Sequence, residues 1–289
     1  MNELWGVLAG IGSSLLGGTT VAGTRYLVAE LDALSIAALR HSVGALCFLP
    51  IALHALYRGA DRRALGAAAL FGLIFYGAFP WLFALSLVYT TAARGSLSIA
   101  TFPIVTMALA IALKVETFSW RRLAGIVLAM SGLVYAILPA LLRDGATADA
   151  WKGDLLMLLA VLLGAIYVVG SRRHIPKIGA LPFAAVGVVA GALMLIVLAL
   201  AGGRGWPTIS AASWATIVYL GVFGTAVLFY LWVIAIRHAS PALVAMTVPA
   251  NPLVAMTLAP WMLGEPIGVE VVVGFVLVVA GIVVANLRR

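Results

Sequence analysis

FPIVTMALAIALKVETFSWRRLAGIVLAMSG, residues 102–132, and NPLVAMTLAPWMLGEPIGVEVVVGFVLVVAG, residues 251–281, are two versions of one pattern. In each, a proline is followed thirteen residues on by glutamate, and that glutamate by glycines nine and sixteen residues further, so Pro103, Glu116, Gly125 and Gly132 become Pro252, Glu265, Gly274 and Gly281. Apolar stretches match one another easily, but a proline, a glutamate and two glycines in register point to duplication. Gly72 and Leu82 recur at the same offset of 149 as Gly221 and Leu231. Upstream the offset is 147: Gly6, Gly17, Gly23, Arg25 and Gly44 recur as Gly153, Gly164, Gly170, Arg172 and Gly191. A two-residue indel between the second and third helices of the repeat reconciles the offsets, and the chain divides into residues 1–142 and 150–289.

The 289 residues are 64% hydrophobic and 10% charged, with a mean hydropathy of +1.15, whereas soluble domains are ~25% charged. A soluble fold of this length could not hide so much apolar surface. Ten helices of ~20 apolar residues each would fill most of the chain. We place them near Leu4–Thr24, Leu34–Leu56, Leu65–Leu87, Ala93–Leu113, Leu123–Leu141, Gly153–Gly170, Leu181–Leu200, Ser213–Ile236, Pro241–Leu263 and Val269–Leu287. The first of these lacks a basic leader and runs to spanning length, so it reads as a span rather than a cleaved signal. Five spans per copy is an odd number, so the second copy enters from the opposite side, and the expected fold is all-α with two inverted five-helix repeats. The net charge of +8 comes from short basic clusters between apolar runs rather than from one face, which marks topology and not nucleic-acid binding. With a cytoplasmic N-terminus, twelve Lys and Arg fall in inner segments and five in outer ones, so both ends are expected inside. Cys47 is the single cysteine and has no partner for an intrachain disulfide.

Two five-helix halves, Arg40 early in the second span, and a mid-helix proline followed by glutamate in each half resemble the drug/metabolite transporter superfamily, in particular its EamA-type members, and among those the amino-acid exporters of the YddG kind. The resemblance covers nearly the whole chain. It implies alternating access around a cavity lined by the first, third, fourth, sixth, eighth and ninth spans. It also implies an inner-membrane transporter that exports a small metabolite, an amino acid in the first instance, with no cofactor and no enzymatic step. A nucleotide-sugar or other organic-anion exchanger is the rival within transport, and an integral-membrane transferase the rival outside it.

Proline in a helix interior removes a donor and costs ~3 kcal/mol. Interrupted helices at matching places in two halves point to a binding site, which singles out Pro103 and Pro252, with Pro249 beside the latter. Ser98 and Thr101 share a face of the fourth span, as Thr247 and Asn251 do of the ninth. These four, with Tyr76, Trp81 and Trp232 as candidate walls, form the expected substrate site. Ser13, Gly17, Thr20 and Thr24 read as a packing stripe on the first span. Arg40, with His41 next to it, is the one charge well inside a span and needs a partner, either an anionic substrate group or backbone carbonyls. Glu116 and Glu265 read as loop clamps, with a gating role as the alternative. No carboxylate lies at the middle of any span, no Walker, HExxH or GxSxG motif occurs, and no metal site is expected. Reporter fusions at Arg289 and within residues 143–151 are expected to give cytoplasmic and external signals respectively; one compartment for both would overturn the topology.

Overall fold

The computed structural model describes residues 3–27, 30–89, 98–99, 101–144, 149–202, 208–251, 253–254 and 269–286. Among these no strand occurs. The first half holds α1 (Glu3–Leu27), α2 (Ala33–Tyr57), α3 (Arg62–Gly72), α4 (Phe79–Tyr89), α5 (Phe102–Ala112) and α6 (Trp120–Asp144). The second holds α7 (Ala150–Ser171), the short α8 (Ile175–Ile178), α9 (Ala180–Ala201), α10 (Ala211–Gly221), α11 (Leu228–His238), the short α12 (Pro241–Ala245) and α13 (Val269–Asn286). Side-chain caps start several of them. Asp32 accepts from the amides of Leu34 and Ser35, Asp61 from Arg63, and Ser210 from Ser213, as capping residues do.

Among the described residues six stretches are long and apolar enough to cross a membrane: Ala33–Tyr57, Arg62–Ser86, Trp120–Pro139, Ala150–Ser171, Ala180–Ala201 and Ala211–His238. Two of them are rods in which a π-helical turn joins two α-helices, Leu73–Ala78 between α3 and α4 and Val222–Val227 between α10 and α11. These turns lie 149 residues apart, the repeat offset. They were not expected from the sequence, and their local causes differ. Pro80 follows the first, and its ring would clash with the carbonyl four residues back in a regular helix. In the second, the Thr225 hydroxyl donates to the carbonyl of Leu220, five residues back, at 3.0 Å.

The fourth span is not one helix kinked in its interior at Pro103. Ser98 and Ile99 are helical, a turn falls at Thr101, and α5 then begins at Phe102 with Pro103 at its second position, where the first turn tolerates a missing donor. The ninth span breaks similarly: α12 ends at Ala245, residues 246–249 form a tight turn ending on Pro249, and helix resumes at Ala250 and Asn251.

The helices meet at glycines. α6 packs on α13, with a Cβ on Gly125 falling 2.6 Å from the Gly281 carbonyl oxygen and one on Gly274 falling 2.6 Å from that of Gly132. This order makes the two helices antiparallel. Gly44 lies against Thr225, and its repeat counterpart Gly191 against Tyr76, the counterpart of Thr225. Gly17 meets Asn251 while Gly164 meets Phe102, and Gly23 meets Leu220 while Gly170 meets Phe71. In every case the contact of one copy is the contact of the other with the halves exchanged. Gly132→Val would drive a side chain into the Leu277 Cβ at 2.6 Å, and overpacking of this kind costs about 1–3 kcal/mol. A clear fall in thermal stability in detergent is expected, while Gly66→Ala, which meets nothing within 4 Å, should lose none.

Candidate functional site

α12 starts from the Ser240 hydroxyl, which accepts from the Leu243 amide, and Pro241 follows at the first helical position. Past Ala245 the amides of Thr247, Val248, Ala250 and Asn251 each donate to the carbonyl three residues back, at 2.9–3.1 Å, so the chain tightens by a turn around Pro249. This turn presents Thr247 and Asn251 to α1. The Thr247 hydroxyl donates to the Val244 carbonyl at 2.8 Å and accepts from the Ser14 hydroxyl at 3.1 Å. A Cβ on Gly10 would reach Thr247 at 3.0 Å, and one on Gly17 would reach the Asn251 amide nitrogen at 2.7 Å. α1 is therefore a packing helix, as expected, and it also covers both polar side chains. Asn251 Oδ1 is buried and has no hydrogen-bond partner among the described residues.

A cluster of aromatic rings gathers where the first π turn meets α7 and α11. Tyr76, in the first π turn, and Tyr167 of α7 are both fully buried and hydrogen-bonded hydroxyl to hydroxyl. Phe75 stacks on Tyr167 at 4.4 Å between ring centres and lies parallel to Trp232 at 6.2 Å. Phe102 of α5 approaches Trp232 at 6.4 Å, and Thr106 follows Phe102 one turn along the same face. Trp232 Nε1 and Thr106 Oγ1 are buried without partners among the described residues. A buried donor or acceptor left unpaired costs about 1–3 kcal/mol, which makes these atoms, with Asn251 Oδ1, the candidates for contact with a ligand.

Of the expected residues, Tyr76 and Trp232 belong to the aromatic cluster, while Thr247 and Asn251 lie against α1. Trp81 does not join them; it packs on the cluster of Ala37, Ala38 and Leu195, between α2 and α9. Ser98 acts through its carbonyl, which accepts from the Thr101 amide at 3.1 Å and the Thr101 hydroxyl at 2.6 Å, so these two residues shape the turn before Pro103. Arg40 is half-buried and its Nε is without a partner among the described residues. His41 is fully buried, with Nδ1 bonded to the Ala37 carbonyl at 2.8 Å and its ring stacked on Phe229 at 6.0 Å. Both belong to the contact of α2 with α10 and α11. Glu116 bonds Arg122 and the Ala242 amide. Pro252 and Glu265 lie outside the described residues. Ser14, Thr106 and Phe102 were not singled out from sequence; the repeat offset gives the one available signal, because it makes Phe102 the counterpart of Asn251.

The family model for EamA-like transporters matches residues 4–138 and 151–287. The chain is 27% identical to the transporter YyaM of Bacillus subtilis (strain 168), over 96% of this chain and 92% of that one. It is 30% identical to a protein of Streptantibioticus cattleyicolor named "Probable terminal-alkyne amino-acid exporter", over 70% of this chain and 66% of that one. A solved structure titled "Crystal structure of protein" superposes with a TM-score of 0.80 over 97% of both chains at 19% identity, a likeness of fold. Removing either hydroxyl of the Tyr76–Tyr167 pair strands the other. Tyr76→Phe and Tyr167→Phe are each expected to destabilise by about 0.6–2 kcal/mol, and the double variant by less than their sum, in a double-mutant cycle read by unfolding.

Proposed function

Since the chain belongs to the EamA-like transporter family and is a multi-pass membrane protein of that family, we propose that it exports small metabolites, amino acids foremost, by alternating access. The observation that carries this reading is that three of the buried polar atoms without partners among the described residues, Trp232 Nε1, Thr106 Oγ1 and Asn251 Oδ1, lie on α11, on α5 and on the segment broken at Pro249. They offer a donor, an acceptor and a hydroxyl without any charge, a set that suits a small polar or zwitterionic solute between aromatic walls. The resemblance to a protein named as an amino-acid exporter supports the same class. Tyr76, Trp232, Thr247 and Asn251 are the residues we assign to the site, joined by Ser14 and Thr106, with Ser98, Thr101 and Pro103 shaping the break before α5. Arg40 and His41 are assigned to structure.

We further read the chain as ten spans in two inverted five-helix repeats, residues 1–142 and 150–289, in the cell inner membrane with both termini cytoplasmic. The exchanged glycine contacts, the π turns 149 residues apart and the antiparallel meeting of α6 with α13 support inversion. Repeats of the same orientation would set those two helices parallel. Transport without a proton gradient is the expectation, since no carboxylate lies at the middle of any span.

A proteoliposome panel of the twenty amino acids, with and without a pH gradient, tests the reading. At least one amino acid is expected to exchange, and an uncoupler should leave counterflow unchanged. Asn251→Ala removes an amide that both donates and accepts and should weaken apparent affinity several-fold. Trp232→Phe should do the same while keeping the ring. Folded variants with unaltered kinetics would move the site elsewhere, and no flux of any amino acid would overturn the substrate class.

A further inference from the structure

The rod from Ala211 to His238 has 28 residues, about 42 Å at the α-helical rise, and the two halves are tied across both of its ends by a carboxylate of the first half. At one end Glu30, just past α1, accepts from the Ser210 amide at 3.2 Å and the Ser210 hydroxyl at 3.1 Å. At the other end Glu116, just past α5, accepts from the Ala242 amide at 3.2 Å through Oε1 and pairs with Arg122 at 2.6 Å through Oε2.

The two ties are not equal. The first is exposed, where solvent screens such contacts to little net worth. In the second the Glu116 side chain is only 5% exposed, so breaking it strands a buried charge. The turn that aims Glu116 is built for the purpose. Lys114 takes a positive φ of 57°, and the amides of Val115 and Glu116 both return to the Ala110 carbonyl, an ending that usually calls for glycine. Arg122, six residues on, fixes one carboxylate oxygen and leaves the other for Ala242. That amide belongs to the segment carrying Thr247 and Asn251, so whatever holds Ala242 holds the near end of the substrate site.

We propose that Glu116 is a latch, a positioning residue of the transport cycle: by holding Ala242 it keeps the α5–α12 end shut, and it must release before solute passes there. The proposal rests on the transporter reading but not on the substrate. Glu30 is the weaker tie at the far end, and its carboxyl is held below the usual carboxylate range by the Ser210 amide and the Ser213 hydroxyl, so it stays charged near neutrality.

Cysteine labelling tests this without any substrate. In a Cys47→Ser background, Ala245→Cys places a thiol at a fully buried position three residues past Ala242. A membrane-impermeant maleimide applied from the Glu116 side should label it slowly. Adding Glu116→Ala is expected to raise the rate several-fold, and Glu116→Gln, which keeps an acceptor for Ala242 but loses the ion pair, should raise it less; Glu30→Ala should leave it unchanged. If Glu116→Ala does not fold, the Gln variant carries the test alone. An unchanged rate, or an equal rise with Glu30→Ala, overturns the latch. An amino-acid panel that fails while labelling shifts as expected would refute the substrate and leave the latch standing; active transport with unshifted labelling would refute the latch alone.

Discussion

The close approach of helix backbones at glycine is the constraint on which the rest of the molecule depends. Lipid tails are as apolar as leucine, so burial alone gives membrane helices little reason to associate, and contact between backbones with small residues between them takes over. Gly125 and Gly132 bring α6 onto α13, and Gly72 touches Gly187 backbone to backbone, bringing α3 onto α9. Any side chain at these places would part the helices by more than its neighbours could fill. The glycines thereby set the distances at which every other side chain meets its partner.

The candidate site follows from those distances. Gly10 and Gly17 let α1 lie directly on Thr247 and Asn251, so a hydroxyl and an amide that would be costly in hydrocarbon are covered by helix. Ser14, between the two glycines, meets Thr247. On the other side Gly164 admits the ring of Phe102, which in turn reaches Trp232.

What was legible in the sequence was what constrains the backbone. Glycine and proline positions marked the matching halves, the breaks near Pro103 and Pro249 and the close-packed face of α1, because those residues change what a helix can do wherever they stand. Side-chain direction was far less legible. Trp81 sits in an almost wholly apolar helix, where no polar face tells one side from another, and only the fold sends it to the α2–α9 contact rather than to the aromatic cluster that holds Trp232. The π turns were hidden because each has its own local cause, a downstream proline in one and a threonine hydroxyl in the other. Either feature is common in regular helices. Thr106 likewise looks like any membrane threonine until its neighbours are known to leave it unpaired.

The exchanged contacts also show how one backbone plan carries two chemistries. Thr20 and Thr225 are the repeat counterparts of Tyr167 and Tyr76. Thr20 lies against Gly224, whereas at the matching place Tyr167 stacks on Phe75, the counterpart of that glycine. The helix frame is alike in both halves, held by the same glycines, but small side chains fill it in one place and a bonded pair of tyrosines among phenylalanines in the other. Because the backbone distances are set elsewhere, these positions were free to diverge without disturbing the fold. On the proposed reading a solute therefore meets different surroundings on its two sides, although the frame around it repeats. The difference lies in side chains alone, and a pseudo-symmetric protein needs no more than that to treat its two ends unequally.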